Sequence, residues 1–127
     1  MRGFTLVEML VVITIIGIIT ALSYPNYKLL QENAYNTVAR SDNQQFTYAA
    51  ELLSAYTGIP DPIFLSGAGG PVPGLPGAVA TEGTRGVIDV DLNHYLVETF
   101  HVRGSLCYRF ESTAGEFAVL DPASCGA

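Results

Sequence analysis

The fold of this chain is decided by residues 3–25, which read GFTLVEMLVVITIIGIITALSYP. From Phe4 to Leu22 the run is apolar with few interruptions, and Glu8 is its only charged residue. A helix needs about 20 predominantly apolar residues to cross the hydrocarbon core of a bilayer. We therefore predict a membrane-spanning helix over residues 4–25.

Beyond Pro25 the pattern changes to that of an amphipathic helix over residues 26–57, in which apolar residues recur at steps of three and four. The predicted buried stripe comprises Tyr27, Leu30, Ala34, Val38, Phe46, Ala49, Leu53 and Tyr56. The predicted polar faces carry Gln31, Glu32, Asn36, Arg40, Asn43 and Glu51. Gly58 and Pro60 are predicted to end the helix.

The remainder of the chain predicts a small antiparallel sheet. Residues 58–86 are rich in Gly and Pro and are predicted to form a connecting loop. Residues 87–98 alternate between apolar and polar side chains, which is typical of a half-buried strand. Residues 100–110 and 116–120 are further strand candidates, with turns at Gly104 and at 112–115. A long N-terminal helix packed on a sheet within residues 87–127 is an α+β fold.

Charge and composition argue against several functions. The chain has 6 Lys and Arg against 12 Asp and Glu, a formal net charge of −6. Such an acidic surface disfavours direct binding of nucleic acid. The histidines and serines near the sheet have no companions that form a metal, nucleotide or nucleophile signature. We therefore expect no cofactor, no metal and no enzymatic activity.

Two cysteines, Cys107 and Cys125, lie in the last part of the chain. An even pair in a chain with a membrane-export segment favours a disulfide formed outside the cytoplasm. The alternative is two free thiols.

Glu8 is energetically unfavourable inside a membrane-spanning helix. A carboxylate inside a membrane helix costs about 2.5–3.5 kcal/mol on insertion scales, so it requires a partner. The alternative is that Glu8, close to the start of the helix, reaches the lipid headgroups.

The segment Gly3-Phe4-Thr5-Leu6-Val7-Glu8, followed by an apolar helix, resembles the processing site of type IV prepilins, and Phe4 and the short leader resemble the type IVa branch. The resemblance implies cleavage after Gly3, which makes residues 1–3 a leader, and N-methylation of Phe4. Gly17 and Pro25 match positions between which the helix of this family tends to melt in filaments. Residues 34–42 are similar to the helix of delta-proteobacterial pilins. The cysteine pair resembles the C-terminal disulfide-bounded loop of the family.

The function that this resemblance implies is that of a structural subunit. The precursor would lie in the inner membrane and be cut by the prepilin peptidase. The pilus assembly machinery would then polymerise it into an extracellular, homo-oligomeric helical filament for adhesion, twitching motility or DNA uptake. In the filament the Glu8 carboxylate of one subunit would neutralise the new Phe4 amine of a neighbour.

Two other classes of protein compete with this interpretation. A pseudopilin of a type II secretion system has the same helix and peptidase site, but major pseudopilins resemble one another in a C-terminal calcium loop without a disulfide. The segment Asp89-Val90-Asp91-Leu92-Asn93 has the opening of a calcium loop, yet His94 replaces the glycine that should follow. We predict the face of a strand there. The third class, a bitopic membrane enzyme or receptor, would require a recognisable site.

Overall fold

The computed structural model describes residues 2–126. The elements are one α-helix, seven strands and a short 3₁₀ helix at Pro122–Ser124. They are α1 (Leu6–Ser54), β1 (Ile63–Ser66), β2 (Gly70–Pro71), β3 (Val79–Ala80), β4 (Thr84–Asp91), β5 (His94–His101), β6 (Cys107–Glu111) and β7 (Glu116–Leu120). Two compact units divide the chain, the first ending at Gln31 and the second beginning at Glu32. The predicted α+β class, a long N-terminal helix with an antiparallel sheet, is confirmed.

Helix α1 is continuous through Gly17 and Pro25. Proline has no backbone N–H, so the carbonyl of Ala21, four residues earlier, receives no helical hydrogen bond from it. At the other end, the N–H of Gly58 donates to the carbonyl of Leu53 at 3.1 Å. Gly58 has a φ of 65°, a conformation that favours glycine and stops a helix.

The main sheet has the order β1-β4-β5-β6-β7, and every neighbouring pair is antiparallel. The single strand predicted over residues 87–98 is wrong, because β4 and β5 form a tight hairpin there with Asp91 opposite His94. Asn93 makes the turn with a φ of 63°, which asparagine tolerates better than most residues. Because the alternation of apolar and polar side chains continues through both strands, the turn between them could not be recognised from the pattern. Strand β6 begins only at Cys107, and β7 matches its predicted range.

The Gly/Pro-rich segment also differs from the prediction. Residues 58–86 are not only a connecting loop, since they contain β1, β2, β3 and the start of β4. Val72, Leu75, Ala78 and Ala80 belong to the buried apolar core, and Leu75 is only 1% exposed. Glycines with positive φ let the chain reverse repeatedly while these apolar side chains still reach the core.

The buried face of α1 differs from the predicted apolar stripe as well. Of the predicted stripe, only Phe46 is fully buried, whereas Tyr27, Leu30, Ala34 and Tyr56 are exposed. The buried face instead includes three polar residues, Asn36, Asp42 and Asn43. Periodicity based on apolar residues therefore misses this face.

These three polar side chains bond to distant backbone groups. Asn43 Nδ2 donates to the carbonyls of Val97 and Tyr108, at 3.1 and 3.0 Å, on two adjacent strands. Asn36 Oδ1 accepts the N–H of Ser105 at 2.9 Å, in the turn before β6. Buried polar groups of this kind are stable only when they are satisfied, so they fix the rotation of the helix against the sheet.

The C-terminal segment is held by a covalent and a polar link. Cys107 and Cys125 form a disulfide, as predicted, with Cα atoms 6.4 Å apart. On β5, the buried carboxylate of Glu98 pairs with Arg109, and its Oε2 accepts the N–H of Gly126 at 2.8 Å. The alternative of two free thiols is wrong.

Candidate functional site

The residues around the predicted cleavage position are accessible. Residues 2–5 precede α1 without regular secondary structure, and the Phe4 side chain is 80% exposed. Apart from its chain neighbours, nothing lies within 4 Å of the point where a side chain on Gly3 would begin. Within residues 2–126, no other part of the chain therefore covers the peptide bond between Gly3 and Phe4.

Thr5 and Glu8 form a reciprocal cap at the start of α1. The Thr5 hydroxyl accepts the N–H of Glu8 at 3.2 Å, and Glu8 Oε2 accepts the N–H of Thr5 at 3.0 Å. This is a capping box, in which a threonine and a glutamate three residues later satisfy two orphan donors. The carboxylate also lies at the positive end of the helix dipole. The T-x-x-E spacing was readable in the sequence, but our sequence interpretation missed this local role of Glu8.

Four other polar side chains between residues 14 and 26 bond to the backbone of their own helix. The hydroxyls of Thr14, Thr20 and Ser23 donate to the carbonyls four residues earlier at 2.7, 2.7 and 2.8 Å. The Asn26 amide does the same to Leu22 at 3.3 Å. In hydrocarbon no water is available to bond such groups, so internal satisfaction makes the segment compatible with an apolar medium.

The apolar surface of this segment is uncovered. α1 is long and apolar enough to cross a membrane, and none of its most hydropathic window of 18 residues is buried. Exposed apolar patches larger than a few hundred Å² indicate contact with a membrane or another protein. The first unit thus contains an accessible Gly3–Phe4 bond, an acid, Glu8, that caps the helix, and an uncovered apolar helix.

These features define the class of protein, a pilin-like α+β architecture with an apolar N-terminal helix. A family model, the prokaryotic N-terminal methylation motif, matches residues 1–24. This motif is characteristic of type IV pilins and prepilin-like proteins, and the chain carries it. Comparison with curated proteins and with solved structures gives no match.

The matched region contains four of the residues singled out in the sequence, Gly3, Phe4, Glu8 and Gly17, while Pro25 follows it directly. The structure brings Glu8 to Thr5, and it joins Cys107 to Cys125 in the second unit. The roles of Glu8, Gly17 and Pro25 in a filament concern an assembled state and stay predictions.

Proposed function

We propose that this protein is a structural subunit of a type IV pilus. Its precursor lies in the inner membrane, where the prepilin peptidase cuts between Gly3 and Phe4 and the new amine of Phe4 is methylated. The pilus assembly machinery then polymerises it into an extracellular homo-oligomeric filament for adhesion, twitching motility or DNA uptake. The observation that carries this proposal is the methylation motif at the head of an uncovered apolar helix.

One apolar surface serves two environments in this proposal. In the precursor, lipid covers residues 4–25. In the filament, the same segments of neighbouring subunits cover one another and form the core. The hydroxyls of Thr14, Thr20 and Ser23 bond to their own helix, so in lipid none of them requires a partner from outside it.

Glu8 supplies the register of the filament. Cleavage leaves a positive amine on Phe4, and the capping bond to Thr5 uses only Oε2 of the Glu8 carboxylate. The other oxygen can accept from the Phe4 amine of a neighbouring subunit. An ion pair is strong in a dry core, and a subunit in the wrong register leaves both charges unpaired.

Gly17 and Pro25 bound the part of the filament-core helix with the weakest intrinsic stability. Glycine and proline are the two residues with the lowest helix propensity, and Pro25 also removes one backbone hydrogen bond. Local melting between them is the form in which we propose that the helix adapts to neighbours during assembly.

The C-terminal segment supports a pilin over a pseudopilin. It is cross-linked through Cys107 and Cys125 and tied to Glu98, which is the arrangement expected of the disulfide-bounded loop of pilins. The segment with the opening of a calcium loop is part of a β-hairpin, in which Asp89 and Asp91 lie on β4 and Asn93 lies in the turn that follows.

The test is the intact mass of the chain in filaments sheared from the cell surface. We expect a chain that begins at N-methylated Phe4 and contains one disulfide. Gly3→Val should leave uncut precursor in the membrane, because a side chain obstructs the approach of the backbone to the peptidase. Gly17→Val is the matched control, since it alters a glycine far from the cleaved bond and should be cut normally.

Two outcomes would contradict the proposal. Processed chain that is abundant in the membrane but absent from sheared filaments would favour the pseudopilin. Filaments containing chain that still begins before Phe4 would remove the processing argument altogether.

A further inference from the structure

The second unit contains a polar cavity of about 410 Å³. It lies where the end of β1, the start of β4 and the end of β5 meet α1. The side chains that matter for its chemistry are Tyr35, Ser66, Glu82, Arg85, His101 and Arg103.

Positive charge is concentrated in this cavity although the chain is acidic. Four arginines lie beyond Glu32, and one of them, Arg109, is paired with Glu98. Arg40 lies over the ring of Phe117, with its guanidinium carbon 5.7 Å from the ring centroid. The remaining two, Arg85 and Arg103, both line the cavity, and within residues 2–126 neither forms an ion pair.

Arg103 is positioned by Tyr35. Its Nη1 donates to the Tyr35 hydroxyl oxygen at 3.0 Å, and its guanidinium carbon lies 5.7 Å from the centroid of that ring. This hydrogen bond is the main reason why the pKa of Arg103 is raised. Since the Tyr35 oxygen is the acceptor here, its own hydrogen is available to donate to another group.

His101 holds the wall of the cavity rather than adding charge. Its Nε2 lies 3.1 Å from the carbonyl oxygen of Glu82 and must donate, while its Nδ1 accepts the N–H of Arg103 at 3.1 Å. Only the neutral ring with hydrogen on Nε2 satisfies both contacts. The ring also stacks on Tyr35, with centroids 4.4 Å apart.

The charged groups that line the cavity are therefore two guanidiniums and one carboxylate, that of Glu82. The net charge of these three groups is positive. Guanidinium groups bind carboxylates and phosphates through paired N–H donors, and such charge-assisted bonds are about twice as strong as neutral ones.

We propose that this cavity binds an oxyanion, a carboxylate or phosphate group, between Arg85 and Arg103 with the Tyr35 hydroxyl as a further donor. The group can come from a small anion in the medium or from an acidic side chain of a second copy of this chain. The second source rests on the proposed function as a filament subunit, whereas the site itself does not.

The experiment titrates the full-length chain in detergent micelles with inorganic phosphate and follows the backbone amide resonances of Gly67, Gly83 and Val102, which line the cavity. Sodium chloride at matched ionic strength is the reference. We expect a saturable shift with phosphate that chloride does not reproduce. Equal shifts with both salts, or no shift with phosphate, would overturn the site.

Matched variants sharpen the assignment. Arg85→Gln and Arg103→Gln should each weaken phosphate binding by at least about tenfold, since each removes a charge-assisted contact. Arg40→Gln removes an arginine of the same unit outside the cavity and should change nothing. Glu82→Gln should tighten binding, because it removes the opposing carboxylate. Equal weakening by Arg40→Gln would show that the effect comes from net charge and would overturn the proposal.

A second arm distinguishes the sources by equilibrium dialysis of radiolabelled phosphate against dispersed subunit and against sheared filaments. Binding to both supports a small anion from the medium. Binding to the dispersed subunit alone supports an acidic side chain of a neighbouring copy, which already fills the site in the filament. If the chain forms no filaments, the result on the dispersed subunit still decides whether the site exists.

Discussion

Polar side chains are used in opposite ways by the two units of this chain. Up to Gln31, the hydroxyls of Thr14, Thr20 and Ser23 bond to carbonyls four residues away. Beyond Glu32, the side chains of Asn36, Asp42 and Asn43 each bond to at least one group between 39 and 70 residues away, although Asn43 also accepts from Thr47. The first unit satisfies its polar groups locally and exposes its apolar ones, whereas the second buries both kinds around one core.

The difference shows what each unit requires from its surroundings. A helix whose threonine and serine hydroxyls bond to its own carbonyls needs no distant strand to satisfy them. A unit whose helix is fixed by contacts to distant strands folds only as a whole. Substitutions of the same type in the two units should therefore have different consequences.

The largest contrast is expected for isoleucine. Ile88 is 0% exposed in the core of the second unit, and Ile16 is 58% exposed on the apolar helix. Ile88→Ala should lower the free energy of unfolding by about 2–5 kcal/mol, since it removes buried methyl groups and leaves a cavity. Ile16→Ala should change it by no more than about 0.5 kcal/mol. Denaturation of the full chain in detergent, followed by near-UV circular dichroism, measures both; equal losses would mean that the apolar helix is part of the folded core.

The disulfide is the next largest expected effect. Cys125→Ser should destabilise the second unit by about 2–5 kcal/mol, because without the cross-link the unfolded chain has a higher conformational entropy. The same denaturation experiment measures it, with and without reductant. Reductant should lower the stability of the wild type and leave Cys125→Ser unchanged; a wild type insensitive to reductant would show that the cross-link adds nothing to stability.

Threonine gives the smallest contrast. The buried Thr84 hydroxyl donates to Asp42 Oδ2 at 2.6 Å, whereas the Thr20 hydroxyl bonds within its own helix. Thr84→Val should cost about 1–3 kcal/mol, because a buried carboxylate loses one of its donors. Thr20→Val should be nearly neutral. Comparing their denaturation midpoints with that of wild type tests the pair, and a loss at Thr20 as large as that at Thr84 would contradict the distinction between local and long-range satisfaction.

Local patterns in the sequence predicted what depends on local structure. The apolar helix follows from residues 4–25, and the methylation motif from the spacing of Gly3, Phe4 and Glu8. The capping box at Thr5 was equally local and could have been found from its spacing alone.

What could not be predicted depends on contacts between distant residues. The sequence shows Asn36 and Asn43 as surface residues, because only the carbonyls and amides of distant strands and turns make their burial favourable. Leu75 sits in a Gly/Pro-rich stretch, and no periodicity indicates that it reaches the core. The cavity joins Tyr35 to Arg103 across 68 positions of the chain, which no motif records.

Glu8 has two roles in this account, and two variants separate them. Glu8→Gln keeps a side chain that can complete the capping box with Thr5, but it removes the charge. Glu8→Ala removes both the cap and the charge. In the proposed filament, an unpaired Phe4 amine of a neighbour would cost about 3–5 kcal/mol at each subunit, which is more than the loss of one cap.

The central claim is that the charge of Glu8 is needed for assembly and not for membrane insertion. The measurement is the amount of processed subunit in the membrane fraction and in sheared filaments, for wild type, Glu8→Gln and Glu8→Ala, each as the sole copy in the cell. We predict that both variants are inserted and cut like wild type and are absent from filaments. Filaments at wild-type yield from Glu8→Gln would contradict the account, because a capping bond alone would then be sufficient for assembly.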